Sequence, residues 1–413
     1  MGWHVVVLLL PAALLNYTDR LLITSMRDAI EGSLPMTEAQ FGLLTSVFLW
    51  VYGVISPVAG FLADRYGRRW FILGSLLAWS AFTWATGHAR SYEAMFLARA
   101  GMGISEAFYL PTALALICDY HREGTRSLAI GIHQCGIYVG TALGGVGGYL
   151  AEYCGWRAGF AVLGAVGAAY ALVLMKFLPG APPSQAFSDS GTASQPTPPR
   201  IRLVPALASL AGQWGYWILL TGFLLLGITT WLIYGWLPTY LREHFHLWIG
   251  AAGLSATGYV QAASVVGVLA GGRWADRWAA SNPRGRMHVA ALGCMIAAPG
   301  MFLMAATDAF PVGIGALLLL GLGIGFYTTN TMPILRQVTD ARYSATGYGI
   351  YNFAGCIAGG LMAYAGGAFR DHHGDLALIF KGTAVGVLAA GLLLLAARPL
   401  TGKTNPCGTG SAS

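Results

Sequence analysis

The sequence predicts an all-α integral membrane protein of twelve transmembrane helices in two six-helix bundles, with both termini cytoplasmic. Three observations carry this expectation. The 413 residues are 56% hydrophobic and only 10% charged, with 57 glycines and a mean hydropathy of +0.59, far from soluble usage. Apolar runs able to cross a hydrocarbon core of roughly 30 Å recur along the chain. A polar, proline-rich stretch midway divides those runs into six and six.

The expected spans in the first half are 3–25, 39–61, 70–89, 92–118, 127–151 and 157–178. Those in the second half are 215–239, 249–272, 287–306, 311–335, 344–368 and 375–397. The first span contains Asp19 and Arg20 and is longer than a signal-peptide core, so it is expected to stay in the mature protein. The glycine-rich run 127–151 is a candidate for kinking. Residues 179–200, PGAPPSQAFSDSGTASQPTPPR, read as a disordered cytoplasmic linker. The expected layout is a bundle over 1–178, a linker over 179–214, a second bundle over 215–397 and a cytoplasmic tail over 398–413.

Basic residues set the orientation. With both termini inside, the inner loops and tails hold sixteen Lys and Arg, against five outside at positions 27, 90, 157, 242 and 370. This bias satisfies the positive-inside rule for a multi-pass protein of the cell's inner (plasma) membrane. The net charge of +7 therefore reflects membrane orientation and gives no reason to expect a nucleic-acid partner. The cysteines at 118, 135, 154, 294, 356 and 407 show no CxxC spacing and read as packing residues. No metal and no cofactor is expected.

Asp19 and Glu106 are the two acidic side chains away from the ends of the expected spans, and a carboxylate there marks an ion path or proton relay. On ideal helices Asp19 and Arg99 share a depth, and Arg99 and Glu106, seven residues apart, share a face. One arginine could then pair with Asp19 while Glu106 waits nearer the midplane. Asp19 and Glu106 are the expected proton-coupling sites, although sodium stays open.

GFLADR at 60–65 aligns with GRWADR at 272–277, each leaving the second helix of its half. Gly60, Asp64, Arg65, Gly67, Arg68 and Arg69 in GFLADRYGRR resemble the signature loop of the major facilitator superfamily, whose fold joins parallel six-helix repeats by a central cytoplasmic loop. The second copy departs from the pattern after Asp276 and Arg277. A physical role exists for the motif: Asp64 can sit at a helix N-terminus while the arginines hold neighbouring helix ends and latch an inner gate.

Several further segments narrow the resemblance. NYTDR at 16–20, RAGMGISEA at 99–107 followed by Pro111, GWR at 155–157 and GWLPTY at 235–240 resemble the anion:cation symporter family of sugar-acid and organic-anion transporters. Spinster-type lysolipid transporters share the Asp-Arg pair and the Arg and Glu of the fourth span. The resemblance implies protonation at Asp19 and Glu106, with Arg20 and Arg99 as charged neighbours. It also implies that Tyr17, Tyr52 and Asn352 line a substrate cavity.

Gln134 is the further candidate on the fifth span. The adjacent His133 could titrate or pack, and both cannot face one cavity. Trp231, Tyr234 and Trp236 could roof the site or lie at the membrane interface. Asn330 is a weaker polar candidate than Asn352, and Lys381 is expected to snorkel.

The chain has no phosphate-binding GxxxxGK[ST], no HExxH and no GxSxG, so neither an ATP-driven pump nor these enzyme classes is expected. The resulting expectation is a monomeric, proton-coupled symporter of a small organic anion. The alternative is a spinster-like carrier of an amphiphile. The third possibility, a non-transporting membrane receptor, fits poorly with a gate motif and buried carboxylates.

Overall fold

Inside hydrocarbon every backbone N–H and C=O needs a partner within the chain, and helices supply it locally. The computed structural model describes residues 2–145, 147–180, 203–246, 249–371 and 375–397. Its first half comprises α1 (Gly2–Ser25), α2 (Arg27–Glu31), α3 (Glu38–Tyr66), α4 (Arg68–Gly87), α5 (Tyr92–Glu106), α6 (Tyr109–Tyr120), α7 (Arg126–Gly144), α8 (Gly147–Cys154) and α9 (Trp156–Phe177). The second comprises α10 (Leu203–Ala211), α11 (Trp214–His244), α12 (Ile249–Ser281), α13 (Gly285–Met304), α14 (Phe310–Val338), α15 (Ser344–Asp371) and α16 (Leu376–Ala396). Single 3-10 turns at Glu123–Thr125 and Ala341–Tyr343 lead into α7 and α15.

Among the described residues, eight helical segments are long and apolar enough to cross a membrane. Helices also stand at the other four expected positions, as α4, α7 with α8, α12 and α15. Two expected spans are broken. The run 92–118 divides into α5 and α6 because Pro111 lacks an N–H and its ring opposes the carbonyl of Ala107. The run 127–151 divides after Gly144 into α7 and α8. In the opposite direction, α3 and α12 continue past the expected ends of their spans to Tyr66 and Ser281. Asp64 and Asp276 therefore stand on rigid helical turns.

The end of the expected linker is helical as well. In α10 the apolar Ala206 and Leu210 are buried, and Leu210 lies beside Gly347 of α15. Residues 181–202 and the tail 398–413 lie outside the described residues.

Within the first half α1 packs on α7 and α4 on α9; within the second α13 packs on α14 and α16, and α12 on α14. Two long seams join the halves, α3 along α15 and α7 along α12. By the GFLADR/GRWADR alignment α3 corresponds to α12, so each half contributes its motif-bearing helix to one seam.

Candidate functional site

The charged cluster lies where α1, α3, α4 and α5 meet. Adjacent residues on a helix point about 100° apart, so Asp19 and Arg20 face different neighbours. Arg20 turns to α5, where its Nη2 donates to Glu106 Oε2 at 2.8 Å and its Nε to the same oxygen at 3.3 Å. The Glu106 side chain has no exposure, and that of Arg20 retains 11%. Asp19 turns to α4 and accepts a hydrogen bond from Thr83. The expected Asp19–Arg99 pair is therefore absent among the described residues, and Glu106 is the paired carboxylate. Helix azimuth decided this, where depth alone did not.

Aromatic rings enclose the Arg20 guanidinium, with Tyr17 at 4.6 Å, Tyr52 at 4.6 Å and Phe48 at 4.9 Å. Arg99 is 1% exposed, lies 4.9 Å from the same Phe48 ring and donates to Met102 Sδ at 3.3 Å. Its Nε and Asp19 Oδ1 are buried without hydrogen-bond partners. Charged groups so desolvated are costly, and ionisable groups within a membrane-spanning bundle mark a functional site.

The second half closes on this cluster through neutral groups. Asn352 Nδ2 of α15 donates to Tyr52 Oη at 3.1 Å, and Tyr138 of α7 bonds Thr328 of α14 at 3.0 Å. Tyr234 accepts from Gln261 at 3.1 Å. Gln134 is buried with its Oε1 unpartnered. His133 packs inside the first half, where its Nε2 meets Tyr109 Oη at 3.1 Å, which resolves it as a packing residue. Asn330 is likewise turned inward, bonding Phe326 O of its own helix. No group of three or more His, Cys, Asp or Glu among the described residues could hold a metal ion.

The GFLADRYGRR motif forms a latch between the two halves at one end of the bundle. Asp64 accepts from the Ala345 and Thr346 amides at 3.3 and 2.8 Å and from the Thr346 hydroxyl at 2.9 Å, at the positive N-terminus of α15. Arg68 donates to Asp64 at 3.1 Å and also bonds Asp119, which Arg336 of α14 reaches at 2.8 Å. A Cβ on Gly60 would stand 2.1 Å from Ala345 O, so only glycine permits this approach. Gly67, at φ +97°, makes the turn into α4. Arg65 stays exposed, 5.0 Å from the Tyr66 ring, outside the latch.

The second copy builds the same latch in spite of its divergent sequence. Asp276 accepts from the Ser127 and Leu128 amides at 3.0 and 2.9 Å, at the N-terminus of α7. Arg286 of α13 pairs with Asp276 at 3.1 Å and donates to Ser127 Oγ at 3.0 Å. A Cβ on Gly272 would stand 2.8 Å from Ser127 O. In both copies the partner arginine opens the next helix, and the departure after Arg277 lengthens its spacing from the aspartate, 4 positions for Asp64–Arg68 and 10 for Asp276–Arg286, while the capping carboxylate stays in place.

The family model described as Major Facilitator Superfamily matches residues 9–363. The chain belongs to this superfamily. It is 28% identical over 401 residues to the probable L-galactonate transporter of Escherichia coli (strain K12), covering 92% of this chain and 87% of that one. It is 25% identical over 410 residues to an MFS-type efflux pump of Mycolicibacterium smegmatis, with 96% and 91% covered. The crystal structure of the human organic anion transporter MFSD10 (TETRAN) superposes with a TM-score of 0.74 at 17% identity, over 95% of this chain and 99% of that chain. That likeness establishes the fold.

Several superfamily-fold contacts escaped sequence reasoning. Asp119, Arg336 and Arg286 sit at helix ends, where a latch and ordinary positive-inside charge look alike. Thr83 and Phe48 are uncharged side chains in apolar helices, and only their place beside Asp19 and between the arginines distinguishes them.

Proposed function

We propose that this transporter is a proton-coupled symporter of a small organic anion, such as a sugar acid or related carboxylate, working by alternating access. The observation that carries the reading is the Arg20–Glu106 pair, buried beside Asp19 and Arg99. An incoming carboxylate can take the Arg20 guanidinium in a two-bond fork. Glu106, losing its cation in a desolvated site, then accepts a proton. Asp19, held by Thr83, is the second protonation site and keeps Arg99 in its field. Tyr17, Tyr52, Gln134 and Asn352 supply hydroxyl and amide groups for the rest of the anion.

The latched end is cytoplasmic in this reading, because the basic residues concentrate there. The Asp64 and Asp276 latches then hold the inner gate shut and must release for the site to open inward. The expected setting is the plasma membrane and the expected working unit a monomer. The resemblance of this chain to an L-galactonate transporter supports the anion reading.

Purified protein in proteoliposomes with an imposed pH gradient, inside alkaline, tests the reading against a panel of hexonates, short carboxylates and lysolipids. Accumulation of a hexonate or carboxylate that collapses with a protonophore supports it. Transport of lysolipid alone would replace it with the spinster-like alternative.

A further inference from the structure

A lateral groove of about 410 Å³ runs along the outer side of α4 and α5, away from the charged cluster. Trp70, Gly74 and Ala78 form one wall, and Gly101, Ile104 and Phe108 the other. From Trp70 to the far end at Phe82 the groove spans twelve residues of α4, about 18 Å at 1.5 Å per residue. Its two serine hydroxyls are already spent on backbone carbonyls, Ser75 on Ser105 O at 2.7 Å and Ser105 on Gly101 O at 3.0 Å. Its hydroxyls are thus not free, and α5 belongs to a segment long and apolar enough to cross a membrane.

A cationic group stands beside the Trp70 end of the groove. The Arg69 guanidinium lies 5.3 Å from the Trp70 ring and donates to Met175 O at 2.6 Å, while its Nε has no partner. Lys176, the next residue, is exposed beside the ring of Phe177 at 5.4 Å. Aromatic rings with basic side chains at a helix end are the arrangement that meets a lipid headgroup.

We propose that this groove is a binding site for an anionic phospholipid, with one acyl chain between α4 and α5 and the phosphate at Arg69 and Lys176. The site bears on the transporter's charges through one helix. The α5 residues Gly101, Ile104 and Ser105 face the groove, whereas Arg99 and Glu106 of the same helix face the cluster. Phe108, at the break between α5 and α6, stacks on Phe71 at 5.4 Å and forms part of the wall. A seated chain therefore braces the one irregular stretch of backbone beside Glu106.

The glycine at position 74 gives a clean test, because it lines the groove and a Cβ built there meets no atom within 4 Å. Native mass spectrometry of delipidated protein is run with phosphatidylglycerol and with phosphatidylcholine of matched chains. The wild type should retain phosphatidylglycerol at least tenfold better than phosphatidylcholine. Gly74→Phe, and the smaller Gly74→Leu, should lose that retention while keeping the melting temperature of the lipid-free protein. Arg69→Gln combined with Lys176→Gln should equalise the two lipids. Equal retention of both lipids by the wild type, or undiminished phosphatidylglycerol retention in a folded Gly74→Leu protein, would overturn the proposal.

Discussion

Arg20 and Glu106, 86 positions apart on α1 and α5, share a 2.8 Å ion pair at a depth where neither has ready access to water. Removing one member of such a buried pair strands the other charge, at a cost of about 3–5 kcal/mol. We predict that Glu106→Gln lowers thermal stability. The double variant Arg20→Gln/Glu106→Gln should recover most of the loss. A double variant no more stable than Glu106→Gln would show that the pair does not interact as drawn.

The same pair sets the expected transport phenotype. Glu106→Gln and Asp19→Asn should each abolish proton-driven accumulation, and at least one should retain substrate binding or exchange. Counterflow assays beside gradient-driven uptake separate the two. Full gradient-driven uptake by both variants would remove these carboxylates from coupling.

Arg20→Lys keeps the charge and loses the fork. Substrate binding should weaken by at least tenfold, measured by thermal shift or calorimetry, because a lysine ammonium cannot make two parallel bonds to a carboxylate. Unchanged affinity with a displaced pH optimum would reduce Arg20 to a counter-ion for Glu106.

The two latches differ in tightness, and this ranks their variants. A Cβ at Gly60 would lie 2.1 Å from a backbone oxygen, and one at Gly272 2.8 Å from another. Gly60→Ala should therefore open the latched end further than Gly272→Ala, and Asp64→Asn should open it without a steric clash by weakening the cap on α15. Spin-label distances across that end would report the order. Equal distributions in all three variants and the wild type would leave the motifs with an anchoring role only.

His121 ties the latched end to pH. It lies outside the spans, buried, 4.7 Å from the Trp3 ring, with Nδ1 3.0 Å from Thr125 Oγ1. Burial holds its imidazole below the ordinary value of 6.5, partly offset by the Gly2 backbone and Asp276, with Arg126 acting with burial. A depressed histidine binds fewer protons folded than unfolded, so its contribution to stability is present above about pH 6.5 and is lost as pH falls towards the folded pKa. His121→Gln should flatten the melting-temperature profile below pH 6.5, and an unchanged slope would assign the acid sensitivity elsewhere.

The sequence showed the broad design because period, length and charge bias are local properties. Asp64 was readable as a helix cap, since its place after a long apolar run and before the arginines at 65, 68 and 69 is itself a structural pattern. The Asp276 latch was only half readable, because its arginine, Arg286, lies 10 positions on, beyond the compact turn that holds Arg68 4 positions from Asp64. The partners of Asp19 and Arg20 were not readable, since the azimuth between neighbouring helices is a tertiary property. The break after Glu106 was written in Pro111, yet the surrounding apolar run concealed it.

The central claim is that an organic anion and a proton cross together through the buried carboxylates. Proteoliposomes with an external pH dye, and no imposed gradient, test it most directly when a transported hexonate is added outside. The account predicts external alkalinisation with the wild type and none with Glu106→Gln or Asp19→Asn, at least one of which still binds the anion. Uptake of the anion by the wild type without any proton movement would contradict it.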